Sequence, residues 1–221
     1  MRLYDFPRSS SAWRVRVGIA LKRVEVERVL VDVSRGAGAL DQERPAYAEI
    51  NPARQVPVLE WRERGELVRL GQSVAILEYL EQRFPEPALL PADARARARV
   101  RELVELINAG VQPLQNNYVL AQVEAAGGAP RDWARHFIGR GLGALEAIAK
   151  ASSGPFLTGA SVTLADVFLV PQLFNARLYD VSLDALPRLR EAEAACAALP
   201  AFVSARPENQ HDYVARFGVA R

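Results

Sequence analysis

Cysteine is almost missing from this chain. A single thiol, Cys196, stands among 221 residues, which excludes an internal disulfide and any Cys-x-x-Cys redox pair. A lone cysteine reads as a small buried hydrophobe. Any thiol chemistry must therefore use a sulfur that arrives on a bound ligand. Lysine is nearly absent too, present only at Lys22 and Lys150, so arginine carries the basic charge. The net charge is only +2, and arginines alternate with acids, as in RERGELVR (62–69) and RLREAE (188–193). That pattern describes solvated faces, not a nucleic-acid stripe. The one cationic cluster, ARARARVRE (94–102), reads as the exposed start of a long helix. No apolar run approaches a membrane span. The opening MRLYDFPRSS has no apolar core after its first basic residue, so no secretory signal is expected. Repeats and low-complexity tracts are lacking, and GAGAL (36–40) and EAAGGAP (124–130) read as loops. Neither nucleic acid nor a membrane is expected as partner, and no metal site is expected.

What is present is the apolar half and charged quarter of an ordinary globular chain, long enough for one large domain or two small ones. Residues 2–6 form a short strand-like run, cut by Pro7 and the serines at 9–11. From 11 to 22, Trp13, Val17, Ala20 and Leu21 recur at helical spacing. VERVLVDV (26–33) is rich in β-branched residues and reads as a strand. A weak helix at 41–50 follows, then strands at 56–61 and 66–70 about Gly65, close enough for a hairpin. Residues 72–84 form an amphipathic helix that turns Ile76, Leu80 and Phe84 to a core. The order βαβ, connecting helix, ββα predicts a mixed sheet of the thioredoxin-like kind.

The three prolines of PEPALLPAD (85–93) mark a change of character. Beyond them helices are expected at 92–122, 129–152, 163–178 and 184–198, with a break or kink at Pro113. The expected organisation is an α/β thioredoxin-like domain at 1–84, a linker at 85–91 and an all-α helical domain at 92–221. Thr163 and Asp166 have the spacing of a capping box, with Val162 and Val167 as its hydrophobic staple. Asp166 is accordingly a folding signal and not a catalytic one.

Three segments could carry chemistry. Ser9, Ser10 and Ser11 lie between the first strand and first helix. A hydroxyl there caps the helix, but the same helix end presents free N–H groups and partial positive charge that stabilise a thiolate. A serine hydroxyl donating to that sulfur lowers its pKa further. With no His or Lys base nearby, a serine nucleophile is not expected. Val56-Pro57 opens the third strand, with proline at its first position or in a cis bond. Gln72-Ser73 begins the next helix, either as a plain cap or as a seat for a ligand carboxylate. One sheet can gather all three along a single edge, where α/β folds tend to bind ligands.

The run SSSAWRVRVGIALK (9–22) resembles the signature of zeta-class glutathione transferases, Ser-Ser-Cys-Ser-Trp-Arg-Val-Arg followed by an Ile-Ala-Leu helix. INPARQVPVLE (50–60), GQSVAILEYLE (71–81), VQPLQNN (111–117) and TLADVFLVPQLFNA (163–176) are similar to that family as well. The likeness covers nearly the whole chain. It implies a cytoplasmic homodimeric enzyme that uses glutathione as cofactor. The implied reaction is cis–trans isomerisation of a maleyl oxo acid, maleylacetoacetate or maleylpyruvate, by reversible addition of the glutathione thiolate. It also implies roles for particular residues. Ser9 and Ser10 polarise the sulfur, with Ser9 as the essential hydroxyl. Ser11, Trp13 and Arg14 belong to the same glutathione-binding run. Gln42 lies near the glycyl arm, Val56 pairs its backbone with the cysteinyl part, and Gln72 and Ser73 hold the γ-glutamyl group. Gln112, Asn116, Asn117 and Tyr118 complete the site, and Arg8 faces the acidic co-substrate.

Departures from the pattern are few. The motif's cysteine is Ser11 here and its last serine is Ala12. An arginine that holds a substrate carboxylate in the family falls at Leu178; Arg177 adjoins it and is the second candidate, after Arg8, to receive a substrate carboxylate, although one residue turns a helical side chain by roughly 100°. Tyr118 stands where related maleylpyruvate isomerases have arginine. Two rival expectations follow: a transferase that conjugates glutathione to haloacids or other small electrophiles, and a non-catalytic glutathione-binding module.

Overall fold

The computed structural model describes residues 1–34 and 41–213, so the loop expected at 36–40 lies outside the described residues. The chain divides into two compact units, Met1–Pro87 with Pro200–Arg221, and Ala88–Leu199.

The first unit runs β1 (Arg2–Asp5), α1 (Ser10–Leu21), β2 (Glu27–Leu30), a 3-10 turn at Asp41–Glu43, α2 (Pro45–Ala48), β3 (Val58–Glu63), β4 (Glu66–Gly71) and α3 (Ser73–Arg83). Its sheet has the order β2-β1-β3-β4. β1 is parallel to β2 and antiparallel to β3, which pairs antiparallel with β4. This is the mixed thioredoxin-like sheet expected. Arg64 and Gly65 turn β3 into β4 with φ of 50° and 87°, the left-handed pair that a tight hairpin needs. β2 stops at Leu30 instead of Val33. Its partner β1 ends at Asp5, whose carbonyl takes the Val31 N–H at 2.9 Å, and the N–H after that, of Asp32, is taken by the Asp41 carboxylate at 2.9 Å. One hydrophobic cluster joins Tyr4, Val31, Tyr47 and Val58.

α1 is not amphipathic. Every residue from Ala12 to Ile19 is buried, because the helix packs against both α3 and a further helix, α9 (Pro200–Ala205). Sequence periodicity gives no sign of α9, which is less than two turns long. Phe202 and Ala205 are nonetheless buried, and the chain from Pro200 groups with the first unit. The helical unit expected at 92–221 therefore closes at Leu199. Lys22, at the end of α1, is buried and ion-paired with Glu81, and its Nζ donates to the carbonyls of Pro85 (3.4 Å) and Pro87 (2.7 Å). It thus fastens the start of the proline-rich segment to the first unit.

The second unit comprises α4 (Ala94–Asn108), a 3-10 turn at Gln112–Gln115, α5 (Asn117–Ala125), α6 (Pro130–Ala149), α7 (Leu164–Leu178) and α8 (Pro187–Ala197). The break expected at Pro113 divides α4 from α5; proline has no N–H for the helical ladder and clashes with the turn before it. Among the described residues of this unit, the strand-type pairing is one isolated bridge, Phe156 to Gly159. The capping box forms at α7. Asp166, fully buried, accepts the Thr163 N–H at 2.9 Å and the Leu157 N–H at 2.8 Å. α8 starts at Pro187, later than expected. Its first free N–H groups, on Arg188 and Leu189, are held at 3.2 and 3.0 Å by the buried Glu146 carboxylate of α6, an anion at a helix N-terminus.

Candidate active site

Strand register decides which segments meet. Tyr4 lies opposite Val58, and Val58 opposite Gly71. The residues just past β1, just before β3 and just past β4 therefore emerge at one end of the sheet. These are the Ser9–Ser11, Val56–Pro57 and Gln72–Ser73 segments.

Ser9 is the N-cap of α1, with φ −68° and ψ 116°. Its own N–H donates to the Phe6 carbonyl at 3.0 Å, and its hydroxyl accepts from the Ala12 N–H at 3.2 Å. Ser10 is buried and Ser11 partly exposed. Their N–H groups precede the first helical bond, Trp13 N–H to the Ser9 carbonyl at 2.8 Å, so the helix leaves them for another acceptor. The capping role and an open anion-binding end thus coexist on the same three serines.

Val56 joins Pro57 through a cis peptide. Neither its N–H nor its carbonyl finds a partner among the described residues, leaving an edge to which an extended peptide can add. Gln72 has φ 67° and ψ 117°, a conformation costing a non-glycine residue about 1–3 kcal/mol and concentrated at functional sites. Its side chain donates to Gln55 Oε1 at 3.1 Å. Ser73, buried as the first residue of α3, accepts from Arg14 Nη1 at 3.3 Å. Trp13 and Arg14 are 3% and 1% exposed, so both lie in the interior of the unit. Gln42 lies in the 3-10 turn after β2, and its buried Oε1 lacks a donor among the described residues. Arg8 is exposed beside Ser9.

Arg16 escaped the sequence reading. Its guanidinium pairs with Asp5 at 2.6 Å and donates to the carbonyls of Pro7 at 2.8 Å and Ala205 at 3.1 Å. It thereby pins the turn that carries the serines. Burial lowers its pKa, and the Asp5 carboxylate opposes that shift. The available signal was a second arginine inside a helix buried on all sides, where a charge must have partners.

In the second unit, Gln112 Nε2 donates to Asn116 Oδ1 at 2.7 Å. Asn117 opens α5, and Tyr118 is 58% exposed. Arg177, expected as a second anchor for a substrate carboxylate, is already engaged by one of the protein's own. Its Nη1 and Nη2 donate to the two oxygens of Glu193 at 2.6 and 2.5 Å, bonds that raise its pKa. Leu178, beside it, is 41% exposed. Cys196 is fully buried, and that burial pushes its thiol pKa up, which removes it as a nucleophile.

Known families match both halves of the chain: Glutathione S-transferase, N-terminal domain, over residues 3–88, and Glutathione S-transferase, C-terminal domain, over residues 120–195. A maleylacetoacetate isomerase of Pseudomonas aeruginosa is 42% identical over 215 residues, covering 96% of this chain and 98% of that protein. The maleylacetoacetate isomerase of Rattus norvegicus is 40% identical over 95% of this chain and 94% of its own length. Among solved structures, the Anaeromyxobacter dehalogenans maleylacetoacetate isomerase with glutathione bound in its active site is 51% identical. It covers 96% of this chain and 97% of its own, with a TM-score of 0.87. On the serine motif, the sheet and these likenesses, the chain belongs to the glutathione transferase family, within its zeta-class, maleylacetoacetate isomerase branch.

Proposed function

We propose that the protein is a glutathione-dependent cis–trans isomerase of a maleyl oxo acid, of the maleylacetoacetate or maleylpyruvate type. The observation that carries the reading is the strand register, which brings an open helix N-terminus, the unpaired Val56 backbone and a strained Gln-Ser junction to one end of one sheet. This donor set fits glutathione. The α1 end suits a thiolate, the Val56 backbone suits a peptide, and the α3 start with the Ser73 hydroxyl suits a carboxylate. Glutathione supplies a sulfur nucleophile able to add to a cis double bond and leave it again.

The chain's own residues do the rest. The Ser9 hydroxyl and the Ser10 and Ser11 N–H groups stabilise negative charge on sulfur by hydrogen bonding. Arg14 holds Ser73 in place, and Arg16 holds the serine turn. Arg8 receives a substrate carboxylate. Gln42, Gln112, Asn116, Asn117 and Tyr118 are proposed to contact the ligand, on the strength of the family resemblance. A cytoplasmic homodimer is likewise proposed from that resemblance.

The engagement of Arg177 with Glu193 supports a second reading, conjugation of glutathione to monoacid electrophiles such as haloacids. Purified protein assayed with maleylacetoacetate, maleylpyruvate and chloroacetate separates the two. The isomerase reading expects trans product formed with no net loss of glutathione. Thiol consumed in step with chloroacetate, without isomerisation, establishes the transferase. Glutathione binding with no turnover on any of the three defeats both.

A further inference from the structure

The peptide that joins Gln55 to Val56 is held at one end and open at the other. The Gln55 carbonyl accepts two side-chain bonds, from the Tyr47 hydroxyl and from Asn51 Nδ2, each at 2.8 Å. Two donors occupy both lone pairs of a carbonyl oxygen, so its direction is fixed. The bond itself is trans, since the cis peptides among the described residues are Val56-Pro57 and Glu86-Pro87. A peptide unit is planar, so fixing the carbonyl also fixes the N–H on its far side. That N–H belongs to Val56, whose two backbone groups find no partner among the described residues.

Both donors are themselves firmly placed. The Tyr47 ring is buried in the cluster with Tyr4, Val31 and Val58. Burial raises the pKa of its hydroxyl, which keeps it a donor across the working pH range. Asn51 engages every polar atom it has. Its N–H donates to the Tyr47 carbonyl and its carbonyl accepts from the Arg54 N–H, both at 2.8 Å, while Oδ1 accepts from the Ala53 N–H at 3.1 Å. The turn at 51–54 closes with those bonds at Ala53 and Arg54, and the two bonds to the Gln55 carbonyl reach beyond it. The Asn51 carboxamide also lies beside the Gly71 backbone, where a Cβ would stand 3.7 Å from it. Gly71 precedes the strained Gln72, whose Nε2 donates to Gln55 Oε1 at 3.1 Å. One tyrosine and one asparagine thus tie the Val56 peptide to the Gln72 junction.

We infer that Tyr47 and Asn51 are positioning residues that aim the Val56 N–H at the main chain of the bound ligand, and so set its affinity. Val56 is a seat for a ligand main chain by its unpartnered backbone groups beside strained Gln72; the ligand's identity alone rests on the glutathione-dependent reading above. The sulfur is assigned to a different segment, the serine turn, so the pair acts on binding and leaves the chemical step alone.

The test compares Tyr47→Phe, Asn51→Asp and the double variant with wild type, using S-methylglutathione, a thioether whose binding does not depend on ionising the sulfur. Tyr47→Phe deletes one donor and keeps the buried ring. Asn51→Asp deletes the other donor and keeps an oxygen for the Ala53 N–H. In titration calorimetry the dissociation constant rises about threefold in Tyr47→Phe and about tenfold or more in Asn51→Asp and the double variant. The KM for glutathione rises in step while kcat stays within about twofold, the mark of lost uniform binding. In the ligand-free protein the amide order parameter of Val56 falls from about 0.85 toward about 0.6 in the double variant. The melting temperature of Tyr47→Phe drops by no more than about 4 °C, so this variant decides the matter if Asn51→Asp does not fold. Variants that melt lower with affinity and order parameter unchanged assign the pair to loop stability, and a fall in kcat with KM unchanged assigns it to the chemical step. Either result overturns the proposal. Wild type that binds neither S-methylglutathione nor glutathione defeats the isomerase reading instead, and the Val56 order parameter then decides whether the pair holds the peptide.

Discussion

The guanidinium of Arg14, in the second turn of α1, donates to the hydroxyl of Ser73, the first residue of α3, at 3.3 Å across 59 positions of sequence. Both groups are buried, and the bond couples the start of one helix to the other at the end of the sheet where the candidate site lies. A hydrogen bond to a charged group contributes about 1.5–3 kcal/mol. Ser73→Ala is therefore expected to weaken glutathione binding about tenfold. Arg14→Lys should do much the same, because an ammonium does not reproduce the planar fork. Calorimetric titration of the single and double variants checks this. The double variant should lose little more than either single one, and fully additive losses would show that the two groups act separately.

Ser9 both caps α1 and carries the hydroxyl assigned to the sulfur, and two substitutions separate these duties. Ser9→Ala removes the cap and should cost about 1 kcal/mol of stability. Ser9→Asp keeps an acceptor for the Ala12 N–H and should recover that loss. Neither can donate to a thiolate, so both should lose turnover by about 100-fold, the scale of one lost transition-state donor. Their pH–rate profiles should shift upward toward the ordinary thiol range near about 8.5. Recovery of turnover in Ser9→Asp would reduce Ser9 to a cap.

Arg177 should prove dispensable for substrate. It is half-exposed and paired with Glu193, and exposed pairs contribute about 0–1 kcal/mol. Arg177→Ala is expected to leave the KM for the oxo acid within about twofold of wild type, whereas Arg8→Ala should raise it about tenfold or more. Steady-state kinetics on the two variants decides which arginine receives the carboxylate.

Acid stability should depend on Glu60. Its carboxylate, 5% exposed, accepts from Arg69 at 2.8 Å and from the Tyr4 hydroxyl at 3.3 Å. The Arg69 bond chiefly holds its pKa below the ordinary carboxylate value. A depressed pKa means that the folded state favours the ionised form. The stabilisation is thus complete above the unfolded value and is lost as pH falls through the folded one. Urea titrations of wild type and Glu60→Gln should differ at neutral pH and converge at acid pH. A gap that stays constant with pH would remove Glu60 from the acid response.

Much of this was legible in local sequence. The order of elements along the first unit follows from strand-like runs and helical spacing, the α4–α5 break from Pro113, and the α7 cap from Thr163 and Asp166 at box spacing. The serine, Val-Pro and Gln-Ser segments could be recognised singly, since each marks an element's end. The limits of β2 and α8 were not legible. β2 ends where its partner β1 ends, and α8 begins where a carboxylate on another helix, Glu146, reaches its N–H groups.

The sequence by itself determined the kinds and order of elements and the need for a borrowed sulfur, since only Cys196 carries a thiol. Caps, proline breaks and periodicity act over a few residues, so they survive without a fold. Tertiary structure alone decided that Arg16 holds the Ala205 carbonyl 189 positions away, that Arg177 faces Glu193, that α9 covers α1, and that Gln115 meets Gln172. Each depends on which side chain packing brings within 3–4 Å, and no local preference encodes a partner so distant along the chain.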